Sequence, residues 1–138
     1  EGGHFYSFNK LYDGSTGDPC SKLNTAYYGT SWRTPTKNEL EKLVRCTDRV
    51  YNGGMWFMNN RLGLFLKAAG MRPETGPGLE GTGSGTSGVY LTSTLGNRKN
   101  TCYVLDFGTT YIVVTDTGAW NALQINGYSV RCVKGTKQ

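Results

Sequence analysis

At 138 residues the chain has room for one domain. Hydrophobic residues at 37%, aromatics at 12% and 20 glycines exclude both a disordered chain, which lacks aromatics, and a helical bundle, which does not tolerate so much glycine. The formal charge of +5 is scattered from Lys10 to Lys137 rather than gathered into a stripe, so nucleic acid is not an expected partner.

No apolar run approaches the roughly 20 residues of a membrane span, and Glu1-Gly2-Gly3-His4 is not a signal peptide, so the chain reads as mature or trimmed. His4-Phe5-Tyr6-Ser7-Phe8 is an early strand candidate, followed by the turn-rich stretch from Asp13 to Pro19. Trp32-Arg33-Thr34-Pro35 is extended, because the residue before a proline is pushed out of the helical region. Thr36-Lys37-Asn38-Glu39 is a capping box, and Leu40, Leu43 and Val44 recur behind it at helical spacing. A helix is therefore expected over about 37–48, with Glu39 and Glu41 toward its start and Lys42 and Arg45 farther along. Asn52-Gly53-Gly54 ends that region.

Met55-Trp56-Phe57-Met58 and Leu62-Gly63-Leu64-Phe65-Leu66 read as buried strands. Residues 73–88 hold six glycines and two prolines and read as a loop; no Gly-Lys-Ser/Thr follows, so a phosphate cradle is not expected. The last third is rich in strands: 89–94, then 102–107 and 111–115 around the hairpin-sized Gly108-Thr109-Thr110, and finally 129–133. Alternation puts Tyr103, Leu105 and Phe107 on one face of their strand and Val104 and Asp106 on the other.

Residue counts prune the chemistry. His4 is the one histidine and lies near a terminus, which excludes a site needing two histidines and argues against a histidine-based triad. Cys20, Cys46, Cys102 and Cys132 lie far apart with no CxxC pair, the wrong spacing for zinc. An even, dispersed set reads as two disulfides and an extracytoplasmic protein, with reduced buried thiols as the alternative. Four cysteines allow three connectivities.

Several segments together resemble one family. Asp18-Pro19-Cys20, then Trp32-Arg33-Thr34-Pro35-Thr36 with Glu39-Leu40 behind it, resembles the start of the Fibrobacter succinogenes major paralogous domain. Leu64-Phe65-Leu66-Lys67-Ala68-Ala69-Gly70-Met71-Arg72 is similar to that family's FLPAAGYR, and Gly88-Val89-Tyr90-Leu91-Thr92-Ser93-Thr94 to its GYYWSST. Gly127-Tyr128-Ser129-Val130-Arg131-Cys132-Val133-Lys134 resembles its terminal GYSVRCVKD. The likeness runs from about residue 18 to 134, with Thr34, Leu40, Lys67 and Leu91 departing from the pattern. It implies an α+β, C-type-lectin-like domain of short antiparallel strands, one or two helices and long loops, spanning 1–138 as a single domain. It also implies the pairing Cys20–Cys132, leaving Cys46–Cys102.

The last third also resembles proteins varied by a diversity-generating retroelement, which keep a lectin-like scaffold and vary surface side chains through adenines of Asn codons. Leu95, Asn97, Arg98, Asn100, Val104, Asp106, Tyr111, Val113, Thr115, Asn121 and Leu123 are all reachable by that route, whereas Lys99, Trp120 and Gln124 are not. Those eleven reachable positions together with Trp120 form the expected ligand-binding surface, within 95–124, with Tyr111 and Trp120 as aromatic anchors.

Trp120-Asn121 is half of a lectin calcium motif, but Ala122 replaces its aspartate and no Glu-Pro-Asn occurs, so neither calcium nor any other cofactor is expected. The candidate acids Asp106, Asp116, Glu74 and Glu80 give no sign of convergence, so the chain is not expected to be an enzyme. The expected function is an adhesin-like domain at a bacterial cell surface or secreted, whose partner is an external protein or glycan. A lipid anchor or pilus preceding Glu1 would be its means of attachment, since no membrane span is present. The alternatives are a structural fimbrial-tip or surface-lipoprotein module and, behind it, an enzyme related to formylglycine-generating enzymes.

Overall fold

The computed structural model describes residues 18–60, 62–71, 83–99, 101–120 and 127–138, without the side chains of Leu62, Ala119 and Trp120. The expected strand at 4–8 lies outside them.

The capping box forms as the residues dictate. The Thr36 hydroxyl accepts from Glu39 N at 3.2 Å, and Glu39 Oε1 accepts from Thr36 N at 2.9 Å. Helix α1, Lys37–Cys46, follows, two residues shorter than the periodicity predicts. Thr47 is extended, and its hydroxyl donates to Leu43 O at 2.5 Å, closing a carbonyl that a further turn would have used. The next residues form strand β2, Asp48–Tyr51, where the periodicity carries the helix to about 48 and predicts no strand before Asn52-Gly53-Gly54. Gly53, at φ +68, makes the turn into β3, Gly54–Asn59, and β4, Leu62–Lys67, completes an antiparallel meander in the order β2-β3-β4.

A second meander consists of β5, Ser87–Leu95, β6, Cys102–Gly108, and β7, Ile112–Asp116. The expected loop over 73–88 lies outside the described residues over 73–82, and its last two residues belong to β5 instead. Gly88 enters the sheet because the ring of Phe107, its cross-strand partner, occupies the space where a side chain would stand. Two 3-10 helices, Pro19–Leu23 and Thr117–Trp120, complete the helical elements among the described residues.

The early and late parts of the described chain meet in a two-stranded sheet of β1, Trp32–Arg33, and β8, Val133–Lys134. Of the expected final strand over 129–133 only Val133 lies in a strand: Ser129 makes a single bridge to Tyr90, and 130–132 are irregular. Cys20–Cys132 staples the same end, with Cα atoms 5.6 Å apart across a separation of 112 residues. Arg33 ties it further: its guanidinium forks onto both Glu39 oxygens, while Nε and Nη2 donate to Gly135 O and Thr136 O at 2.7 and 2.8 Å. The hydrogen bond from Arg33 holds the Glu39 carboxyl below its ordinary value, with partial burial opposing. The architecture is therefore mixed: small antiparallel sheets with one α-helix among the described residues.

The second meander is packed on both faces. Tyr90, Leu105 and Phe107 join Leu40, Met55, Phe57, Leu66 and Ala68 in a core between α1 and the two meanders. Val89, Leu91, Cys102 and Val104 pack on the opposite face against Tyr128.

That two-sided burial corrects the second disulfide. Cys46 and Cys102 are free thiols. Cys102 shares the face of Val104 and Tyr128, whereas α1, which ends at Cys46, packs on the Leu105 face, so the sheet separates them. Burial pushes the Cys102 thiol up to about 12, leaving it protonated and inert at neutral pH. A maleimide reagent should therefore label Cys46 in the folded protein and Cys102 only after denaturation. Absence of labelling at both after full unfolding without reductant would establish the Cys46–Cys102 bond instead.

Candidate functional site

β7 is the open edge of the second meander, and the turn before it is tightly built. Gly108 N donates to Tyr111 O at 2.9 Å, and the Tyr111 ring lies over Gly108, where a methyl group would sit 2.4 Å from a ring carbon. This folds the aromatic back along the sheet, where its hydroxyl donates to Asp106 Oδ1 at 3.1 Å. Burial raises the Asp106 carboxyl above its ordinary value, and the Tyr111 hydrogen bond opposes that rise. Tyr111 is raised too, first by burial and then by the charge of Asp106. The phenol is thus held as a neutral donor, yet the side chain remains 49% exposed.

Directly opposed residues of an antiparallel pair share a face, so Asp106 and Val113 project together, as do Val104 and Thr115. Val113 is 45% exposed beside the Tyr111–Asp106 pair. Thr115 is half-buried. Val104 is fully buried, so its expected place on the ligand-binding surface is corrected: Tyr128 covers that part of the face and makes it core.

Leu95, 67% exposed, ends β5, and Asn97 and Arg98 stand exposed in the loop to β6. Asp116 fastens that loop. Its Oδ2 accepts from Asn97 N at 2.6 Å and its Oδ1 from Gly118 N at 2.9 Å. Burial would raise its carboxyl, but the backbone donors of Asn97 and Gly118, the Thr101 hydroxyl and the charge of Arg98 outweigh it and leave it lowered. The expected residues therefore gather at two ends of one sheet: Asp106, Tyr111 and Val113 near the β6–β7 turn, and Leu95, Asn97, Arg98 and Thr115 at the other. Asn100, Asn121 and Leu123 lie outside the described residues, as does the side chain of Trp120.

The two candidate acids of the sheet do not converge. Asp106 pairs with Val113 and Asp116 with Tyr103, adjoining opposite faces of β6, while Glu74 and Glu80 lie outside the described residues. Among the described residues no three His, Cys, Asp or Glu side chains come together as a metal site requires. No helix among them is long and apolar enough to cross a membrane.

Sequence reasoning missed the other side of the β6–β7 turn. There an open cleft of about 420 Å³ is lined by Arg49, Tyr51 and Met55 of the first meander and by Thr109, Thr110 and Tyr111 of the second. Its one local signal was the β-branched and aromatic pair Val50-Tyr51 before the Asn52-Gly53 turn, residue types that favour strands. Comparison with family models, curated proteins and solved structures finds no match.

Proposed function

We propose that this chain is an extracytoplasmic recognition domain of C-type-lectin-like fold, which binds an external protein or glycan without chemistry through the edge formed by Asp106, Tyr111 and Val113. The observation that carries this reading is Tyr111, a large aromatic pinned by Asp106 just before an edge strand while half its surface stays open. A rigid aromatic supplies contact area at little entropic cost, and an edge strand with a fixed side chain loses little freedom on binding. The staple at Cys20–Cys132 supports the compartment, since such bonds persist in oxidising surroundings.

On arrays of glycans and extracellular proteins, the Tyr111→Ser, Val113→Ser double variant should lose at least about ten-fold in binding at whatever spot the parent recognises. An unchanged pattern overturns the placement. Diversification is the finer part of the reading: it requires a near-identical copy of the 95–124 coding segment, differing at adenines, beside a reverse transcriptase gene.

One observation favours the assembly-module alternative. Val50, Trp56 and Met58 are exposed on the outer face of the first meander, where the Phe65 and Trp56 rings lie 4.7 Å apart. Exposed apolar side chains grouped on one sheet face are the kind of surface that a neighbouring subunit covers.

A further inference from the structure

The cleft between the two meanders has more in it than apolar walls. Met55 and Ile112 form its inner part, Tyr51 contributes a ring, Tyr111 stands at its rim, and Arg49 and Thr109 bring polar groups. Its functional side chains are fixed from behind. Arg49 Nη1 donates to Val44 O at 3.0 Å, the Tyr51 hydroxyl donates to Gly85 O at 2.8 Å, and the Tyr111 hydroxyl is taken by Asp106. A guanidinium carries five N–H donors in a rigid fork, and one hydrogen bond to a carbonyl leaves most of them for a ligand. Among the described residues no carboxylate lies within 4.0 Å of Arg49, in contrast to Arg33, which has both oxygens of Glu39. Thr109 and Thr110 stand exposed beside it.

A preformed cleft with an apolar interior and a few convergent polar groups is the usual form of a small-ligand site. Here its one cation is oriented and has no counter-charge among the described residues.

We infer that this cleft binds a carboxylate carried on a body with an apolar face. The carboxylate meets Arg49 in a fork, the apolar face lies against Met55 and the Tyr51 ring with Tyr111 at the rim, and hydroxyl or amide groups reach Thr109 and Thr110. The inference rests on the recognition reading for Tyr111 but adds a ligand class and five residues that reading does not use. Two sources supply this chemistry, a uronic acid of a glycan and a glutamate side chain of a peptide.

Two matched pairs of probes separate these sources and test the site: methyl glucuronide against methyl glucoside, and N-acetyl-glutamate amide against N-acetyl-glutamine amide, each titrated by NMR. Within each pair a neutral group of similar size replaces the carboxylate. For probes of this size a dissociation constant on the order of 1 mM is expected. In at least one pair the acid should bind about five-fold more tightly than its neutral partner, and the pair that responds identifies the source.

Arg49→Gln, which retains a donor for Val44 O, should erase that preference, and Arg49→Lys should retain part of it; Lys137→Ala should leave it unchanged. No preference in either pair, or a preference that survives Arg49→Gln, overturns the inference. If the array binding depends on Val113 while the cleft shows no acid preference, the cleft inference alone fails. If the acid preference follows Arg49 while array binding ignores β7, the edge reading alone fails.

Discussion

Replacing Cys20 and Cys132 together by alanine should cost about 4–5 kcal/mol of stability, because the bond closes a loop spanning a separation of 112 residues and loop-closure entropy grows with that length. A domain of this kind has roughly 5–15 kcal/mol in all, so the bond supplies about a quarter of it or more. In a thermal melt the midpoint should fall by about 15 °C. The native topology should nevertheless persist at low temperature, because the early and late parts of the described chain are also joined without the bond. β1 pairs with β8, Arg33 donates to Gly135 O and Thr136 O, and the Thr36 hydroxyl donates to Gln138 O at 2.7 Å. Asp18 adds to this end by accepting from Cys20 N, Thr34 N and the Thr34 hydroxyl, at 2.9, 2.8 and 2.7 Å. A midpoint shift of only one or two degrees would show that the bond constrains nothing the unfolded chain would otherwise explore.

The second large effect is expected at Gly88 and Phe107. Phe107 is fully buried, stacks beside Tyr90 with centroids 6.1 Å apart, and lies across Gly88, where an added methyl would sit 2.4 Å from a ring carbon. Phe107→Ala should cost about 3–5 kcal/mol through lost burial and the cavity left between α1 and the meanders. Gly88→Ala should cost about 1–3 kcal/mol for the opposite reason, overpacking against a ring with no room to retreat. The diagnostic is their coupling. In the Phe107→Ala background the new methyl occupies vacated space, so Gly88→Ala should become close to neutral in urea denaturation. Simple additivity of the two losses would mean that the ring does not rest on Gly88. The pair also positions function: Phe107 anchors β6 immediately before the turn in which Gly108 N donates to Tyr111 O, so its loss should loosen Tyr111 and Asp106 as well.

The local elements of this protein were determined by its residues alone. Thr36 and Glu39 cap a helix because each satisfies the other's backbone donor within one turn, and nothing distant has to agree. Short apolar runs bounded by glycine or asparagine marked β3, β4, β6 and β7 for the same reason, and the resemblance around Cys20 and Cys132 implied the staple that forms. Periodicity failed where a strand is covered twice. β6 is buried on both sides, so alternation separated its faces correctly but did not say that Tyr128 covers the Val104 side while leaving Asp106 and Val113 at the rim.

Partners far apart in sequence were likewise decided only in three dimensions. Arg33 finds its carbonyl acceptors 102 and 103 residues away, Cys46 and Cys102 are parted by a sheet, and Arg49 meets Thr109 across a cleft between two meanders. Local propensity acts over a few residues and is written in the chain order. Which face is covered, and which side chain meets which across the gap between two sheets, depends on how whole elements pack, and no short stretch of sequence carries that information.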